Sequence, residues 1–128
     1  MTRRSQESTR ASGTHGEDLT EQFLIQKGYT TLTRNYRDKV SRCEIDLIVR
    51  QDRRIVFVEV KSCTQTEFGA PETWVIPRKQ IRIARAAQGY LYEQGLHDAE
   101  CRFDVVGVLL GQNPPQFMHI EQAFWSVF

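Results

Sequence analysis

No apolar run in this sequence approaches the roughly 20 residues needed to cross a bilayer. The N-terminus, Met-Thr-Arg-Arg-Ser-Gln-Glu-Ser, lacks the apolar centre of a signal peptide. Both absences predict a cytoplasmic protein with no membrane partner. Cysteine is scarce: Cys43, Cys63 and Cys101 form no C-x-x-C pair, and with His15, His97 and His119 they give no zinc-ligand spacing. Free thiols in a reducing compartment are expected. Net charge is small too, +1 over 128 residues. Arg3, Arg4 and Arg10 against Glu7 put that excess in the first 13 residues, so the remainder is close to neutral. A whole-protein electrostatic attraction to nucleic acid is thereby excluded, and any phosphate-binding surface has to be local.

What is present is enough for one domain: 40% apolar and 26% charged residues in a chain of this length are ordinary for a globular fold. Residues 1–13 are polar and without periodicity, which predicts a disordered tail before a domain spanning residues 14–128. Thr14 and Glu17 fit a capping box, opening a helix that carries Leu19, Phe23 and Leu24 and stops at Gly28. A strand is expected over residues 29–36, then a β-hairpin over residues 43–61, then a loop anchored by Phe68 and Trp74. Pro77 suits the first turn of a helix running to about Gln94, with Ile81, Ala84, Ala87 and Leu91 facing the sheet. Residues 102–110, opening on Arg102, read as a mostly apolar strand with Asp104 the one charge inside it. Residues 117–120 follow as an edge strand and residues 121–128 as a short terminal helix. Helices separating strands that are apolar on both faces predict an α/β protein with a mixed sheet covered on both sides. The aromatics Phe117, Phe124, Trp125 and Phe128 would either complete the core or form a homodimer face.

The hairpin carries acids where strands normally place apolar groups. Alternation puts Glu44, Asp46 and Ile48 on one face of the first strand and Phe57, Glu59 and Lys61 on one face of the second. A symmetric turn at residues 51–54 sets Asp46 opposite Glu59 and Glu44 opposite Lys61. Directly opposed carboxylates destabilise a sheet unless a cation lies between them, and both a hard divalent ion and a neighbouring ammonium such as Lys61 meet that need. The plainer alternative is a solvated face with Glu44–Lys61 as an ordinary ion pair. On the second helix Arg78, Arg82 and Arg85 repeat at helical spacing, with Lys79 beside them. That stripe is either a phosphate-binding surface or an ordinary solvated face.

The ordered set Gly16-Glu17, Asn35-Tyr-Arg37, Glu44-Ile-Asp-Leu-Ile48, Val58-Glu-Val-Lys61, Phe68-Gly69, Lys79 and Arg102-Phe-Asp-Val105 resembles the YraN family, small bacterial proteins similar to Holliday junction resolvases within the PD-(D/E)-x-K nuclease superfamily. The resemblance implies a restriction endonuclease-like α-β-β-β-α-β core with a short C-terminal appendage. It also implies a metal-dependent endonuclease acting on structured or branched DNA. Asp46 and Glu59 would hold Mg²⁺ or Mn²⁺, Lys61 would be the third catalytic residue and Glu17 a fourth. Arg78, Lys79, Arg82 and Arg85 would contact the nucleic acid, and cutting both strands of a junction would call for a homodimer. Ile45 stands where the superfamily has proline, and Cys63 stands at a position commonly basic in the family. The alternative from another class is a non-catalytic protein that holds nucleic acid or a partner on the same fold.

Overall fold

The computed structural model describes residues 3–64 and 68–124, with the side chains of residues 3–13 and 72 left aside. Helix α1 (Arg3–Gln26) is followed by strands β1 (Thr30–Arg37), β2 (Glu44–Gln51) and β3 (Arg54–Cys63). Helix α2 (Pro77–Glu93), β4 (Glu100–Leu109) and β5 (Gln116–Ile120) complete the order. One five-stranded sheet runs β1-β2-β3-β4-β5, antiparallel throughout except for the central β3–β4 pair. This is the expected α-β-β-β-α-β core with a mixed sheet, and β5 adds the expected edge strand.

Each helix ends where glycine permits it. Gly28 and Gly95 adopt φ of 96° and 66°, and the residue after each donates its N–H five residues back, Tyr29 to Leu24 and Leu96 to Leu91. The start of α1 differs from expectation. The helix already runs through residues 3–13, so Thr14 is an interior position rather than a cap. Glu17 is consequently free of the capping role and pairs with Arg34 instead.

Two apolar layers sandwich the sheet. Under α1 lie Leu47, Val49, Val56, Val58 and Val106 against Leu24; under α2 lie Ile48, Phe57, Phe103 and Val105 against Ile83, Ala86, Ala87 and Tyr90. The buried stripe of α2 is therefore displaced from the expected one: Ile81 is 55% exposed and Ile83 takes its place. Tyr90, whose ring meets Tyr36 and Phe57 edge-on, supplies apolar area that a count of aliphatic residues overlooks. Ile45 also departs from the alternation, joining the α2 layer although Leu47 belongs to the α1 layer. Across the ladder their partners Tyr36 and Arg34 flank Asn35, which is in the left-handed region at φ 51°. The sheet thus loses its regular alternation at Asp46.

Asp104, the charge inside β4, is 1% exposed and fully engaged. Its carboxylate accepts from Arg102 Nε and Nη2, both at 2.8 Å, from His119 at 2.7 Å and from the Gln122 N–H at 3.1 Å. Arg102 also donates to the Tyr29 hydroxyl at 2.7 Å, so the cluster ties β4 and β5 to the end of α1. Of the C-terminal aromatics, Phe117 stacks on Phe23 and Phe124 on Phe103. Both complete the core; Trp125 and Phe128 lie outside the described residues. Residues 121–124 form turns rather than the expected helix, and residues 125–128 lie outside the description.

Candidate active site

The β2–β3 ladder keeps the expected register from Gln51–Arg54 to Leu47–Val58, and the next residues outward are Asp46 and Glu59. There a side chain replaces the main chain as acceptor: the Val60 N–H donates to Asp46 Oδ2 at 2.8 Å. Asp46 is half-buried, and Glu59 beside it is buried, 8% exposed. Its Oε1 lies 2.5 Å from Lys79 Nζ, delivered by the first turn of α2.

The electrostatics follow from crowding. Burial, then the charge of Glu59, pushes the Asp46 carboxyl up to about 7, against the Val60 N–H and Lys79. Burial raises Glu59 as well, opposed by its bond to Lys79. Glu17 is raised by burial and next by Asp46, in spite of its bond to Arg34. That third acid reaches the pair because α1 approaches β3 closely at Gly16, where a methyl group would stand 1.9 Å from Ser62 Oγ. Glycine beside Glu17 is thus a requirement of packing.

Asp46 and Glu59 open into a cleft of about 480 Å³ whose α2 wall carries Arg78, Lys79 and Arg82. Arg85 is exposed further along the helix and does not line it. Arg37, at the end of β1, and Arg42, in the β1–β2 connection, also line the cleft and were not singled out as binding residues from the sequence. Nothing in a sequence pattern shows where a turn aims its side chains. Glu44 is held by Arg37, its register partner on β1, so the Glu44–Lys61 ion pair of the plainer sequence reading does not form. Lys61 is exposed, two residues beyond Glu59, and lines a neighbouring cleft of about 560 Å³ with Ser62, Phe68 and Trp74. The cation against the acids is Lys79.

Among the described residues no group of three or more His, Cys, Asp or Glu side chains is disposed to hold a metal ion. Two adjacent carboxylates lining an open cleft nevertheless fit Mg²⁺, which keeps most of its water and is commonly held by one or two carboxylates together with substrate phosphate. No described helix is long and apolar enough to cross a membrane.

The family model described as "Uncharacterised protein family UPF0102" matches residues 16–108, which include Glu17, Asp46, Glu59, Lys61, Lys79 and Asp104. A UPF0102 protein of Pelobacter propionicus is 40% identical over 118 residues, covering 90% of this chain and 83% of that one. UPF0102 proteins of Rhodococcus jostii and Syntrophomonas wolfei are 39% and 41% identical, each over 115 residues and at least 96% of their own length.

Proposed function

The chain belongs to the uncharacterised protein family UPF0102 and has a restriction endonuclease-like fold, and from that premise we propose that it is a divalent-metal-dependent endonuclease hydrolysing phosphodiester bonds of structured or branched DNA. The observation that carries the reading is the pairing of half-buried Asp46 with buried Glu59 at the end of a broken ladder, open to a cation-lined cleft. An acid raised by burial and by a neighbouring acid costs stability, and such an arrangement beside a cleft supports a functional reading.

Asp46 and Glu59 are the groups to hold Mg²⁺ or Mn²⁺, which when bound neutralises charge at the phosphate and acidifies the attacking water. The Val60 N–H fixes one oxygen of Asp46, a residue that lines the cleft. Glu17 adds negative charge that favours a cation at the pair. Lys61, exposed on the same strand two residues beyond Glu59, lines the neighbouring cleft and would meet a phosphate of a substrate long enough to reach it. Arg78 and Arg82 would hold flanking phosphates, with Arg85 reaching only a longer substrate.

One observation favours a second reading. Lys79 already gives Glu59 a counter-charge, so the acids are tolerable without a metal, as a non-catalytic nucleic-acid binder would require. Incubation with labelled linear, nicked and four-way DNA and with RNA, in EDTA, Mg²⁺ or Mn²⁺, tests both. Cleavage that needs metal and disappears in Asp46→Asn supports the nuclease; a salt-sensitive mobility shift with intact substrate in every buffer supports the binder.

A further inference from the structure

The side of the cleft formed by the β1–β2 connection is a short, tightly bonded turn. Asp38 and Cys43 close it through the Asp38 N–H and the Cys43 carbonyl at 2.9 Å, and the Arg42 N–H donates to the Asp38 carbonyl at 2.9 Å. The Asp38 carboxylate, 5% exposed, accepts the Ser41 N–H at 2.7 Å. Val40, the turn's own apolar side chain, is 92% exposed, so apolar packing of its tip does not anchor the turn. Asp38 does, lying so close to α2 that a methyl group on Gly89 would meet its Oδ1 at 1.9 Å. Within this frame Arg42 is held at φ 65°, in the left-handed region that an arginine adopts only at a cost.

The bonded turn holds the Arg42 backbone at the edge of the acid cleft, and the residue lines that cleft. Five cations surround that cleft, and two are spoken for: Arg37 by Glu44 and Lys79 by Glu59. Among the described residues no acid pairs with Arg42, Arg78 or Arg82, which line the cleft from the turn and from α2. Unpaired guanidiniums flanking a pair of acids match an extended chain of phosphates, not a single small anion.

We infer that the β1–β2 turn is a second phosphate-gripping wall, Arg42 binding the backbone of a polynucleotide that crosses the cleft to Arg78 and Arg82. The inference deepens and rests on the nuclease reading, naming how that site holds its substrate.

Binding of fluorescent four-way and linear DNA by the full chain in EDTA, titrated over a range of KCl, isolates binding from cleavage. Arg42→Gly removes the guanidinium and relieves the positive φ, so its melting temperature should equal or exceed that of the parent. Arg42→Asn, which also tolerates this conformation, guards against a glycine-specific effect. Both should bind about five- to tenfold more weakly near physiological salt, with the slope of log K against log [KCl] reduced by about one. Arg53→Ala, at the far β2–β3 turn, loses the same charge and should leave the slope unchanged. Parental affinity and slope in the Arg42 variants would overturn the inference, as would an absence of salt-sensitive binding by the parent. Neither binding result depends on whether the parent cleaves DNA in Mg²⁺. Failure of the nuclease reading alone therefore shows as Arg42-dependent binding without metal-dependent cleavage.

Discussion

Lys79 Nζ sits 2.5 Å from Glu59 Oε1, and this ion pair, formed between α2 and β3, supplies the positive charge at the acid pair. Glu59 is nearly inaccessible while Lys79 is half exposed, so the pair matters chiefly by leaving no buried carboxylate uncompensated. Lys79→Met should destabilise the metal-free protein by about 1–2 kcal/mol, less than for a fully buried pair because water screens the ammonium. Urea denaturation in EDTA measures that loss. Added Mn²⁺ or Mg²⁺ should raise the stability of the variant more than that of the parent, since the ion then has no ammonium to displace. An equal metal-induced shift in both proteins would refute that competition.

The crowding at Asp46 gives stability a definite pH dependence. Its carboxyl keeps a proton up to about 7 in the folded chain, whereas its ordinary value is 3.8. Between those values the folded state binds more protons than the unfolded one, so this residue's contribution falls as pH rises through the window and is level above it. Asp46→Asn removes the penalty while its amide oxygen can still accept the Val60 N–H. The variant should be more stable than the parent by about 1–3 kcal/mol near pH 8 in EDTA, with the gap closing towards pH 4. Melting temperatures across that range decide it, and a gap that widens towards acid would contradict the burial argument.

Much of this architecture can be read from residue patterns because periodicity and turn chemistry act locally. The β2–β3 register followed from one polar corner, and the helix ends from Gly28 and Gly95. The acid pair followed from that register. Three features were illegible because they depend on approach between distant segments. Lys79 reads as one more cation in a basic stripe, and only the docking of α2 makes it the partner of Glu59. Arg42 reads as an ordinary turn residue until Asp38 and Gly89 fix the turn against α2. Ile81 and Ile83 are chemically alike, so which one is buried is decided by the roll of the helix on the sheet. The early start of α1 was missed for another reason: a polar run can be helical without the apolar spacing that would reveal it.

Gly89 supplies a test of that docking. In the middle of an exposed helix, glycine to alanine stabilises by about 1 kcal/mol through helix propensity alone. Here the added methyl would meet Asp38 Oδ1 at 1.9 Å and its Cγ at 2.6 Å, so the turn or the helix has to move. Gly89→Ala should therefore destabilise the protein, by about 1–3 kcal/mol. Denaturant midpoints read the sign directly: a stabilised variant would mean that Asp38 does not pin the turn to α2.

The two most constrained aspartates should respond oppositely to losing their charge. Asp46 is raised by burial and by a neighbouring acid; at Asp104 burial acts in the same upward direction, but His119, Arg102 and the Gln122 N–H hold the carboxyl below its ordinary value. The stability owed to Asp104 is present above about pH 4 and is lost as pH falls through the lower folded value. With His119 Nε2 donating to Asp104, its Nδ1 accepts from Lys27 at 2.6 Å, an assignment that leaves the imidazole neutral. Asp104→Asn leaves the buried Arg102 guanidinium with only the longer contact to the exposed Glu121, at 3.7 Å, and should cost about 2–4 kcal/mol at neutral pH. Removing the exposed end of the chain by Lys27→Met should cost less than about 1 kcal/mol. Neither change should respond to Mg²⁺, because this cluster lies under α1 and outside the acid cleft. Urea midpoints with and without Mg²⁺ separate the two aspartates. If Asp104→Asn were as benign as Asp46→Asn, the Arg102 cluster would not be what fastens β4 and β5 to α1.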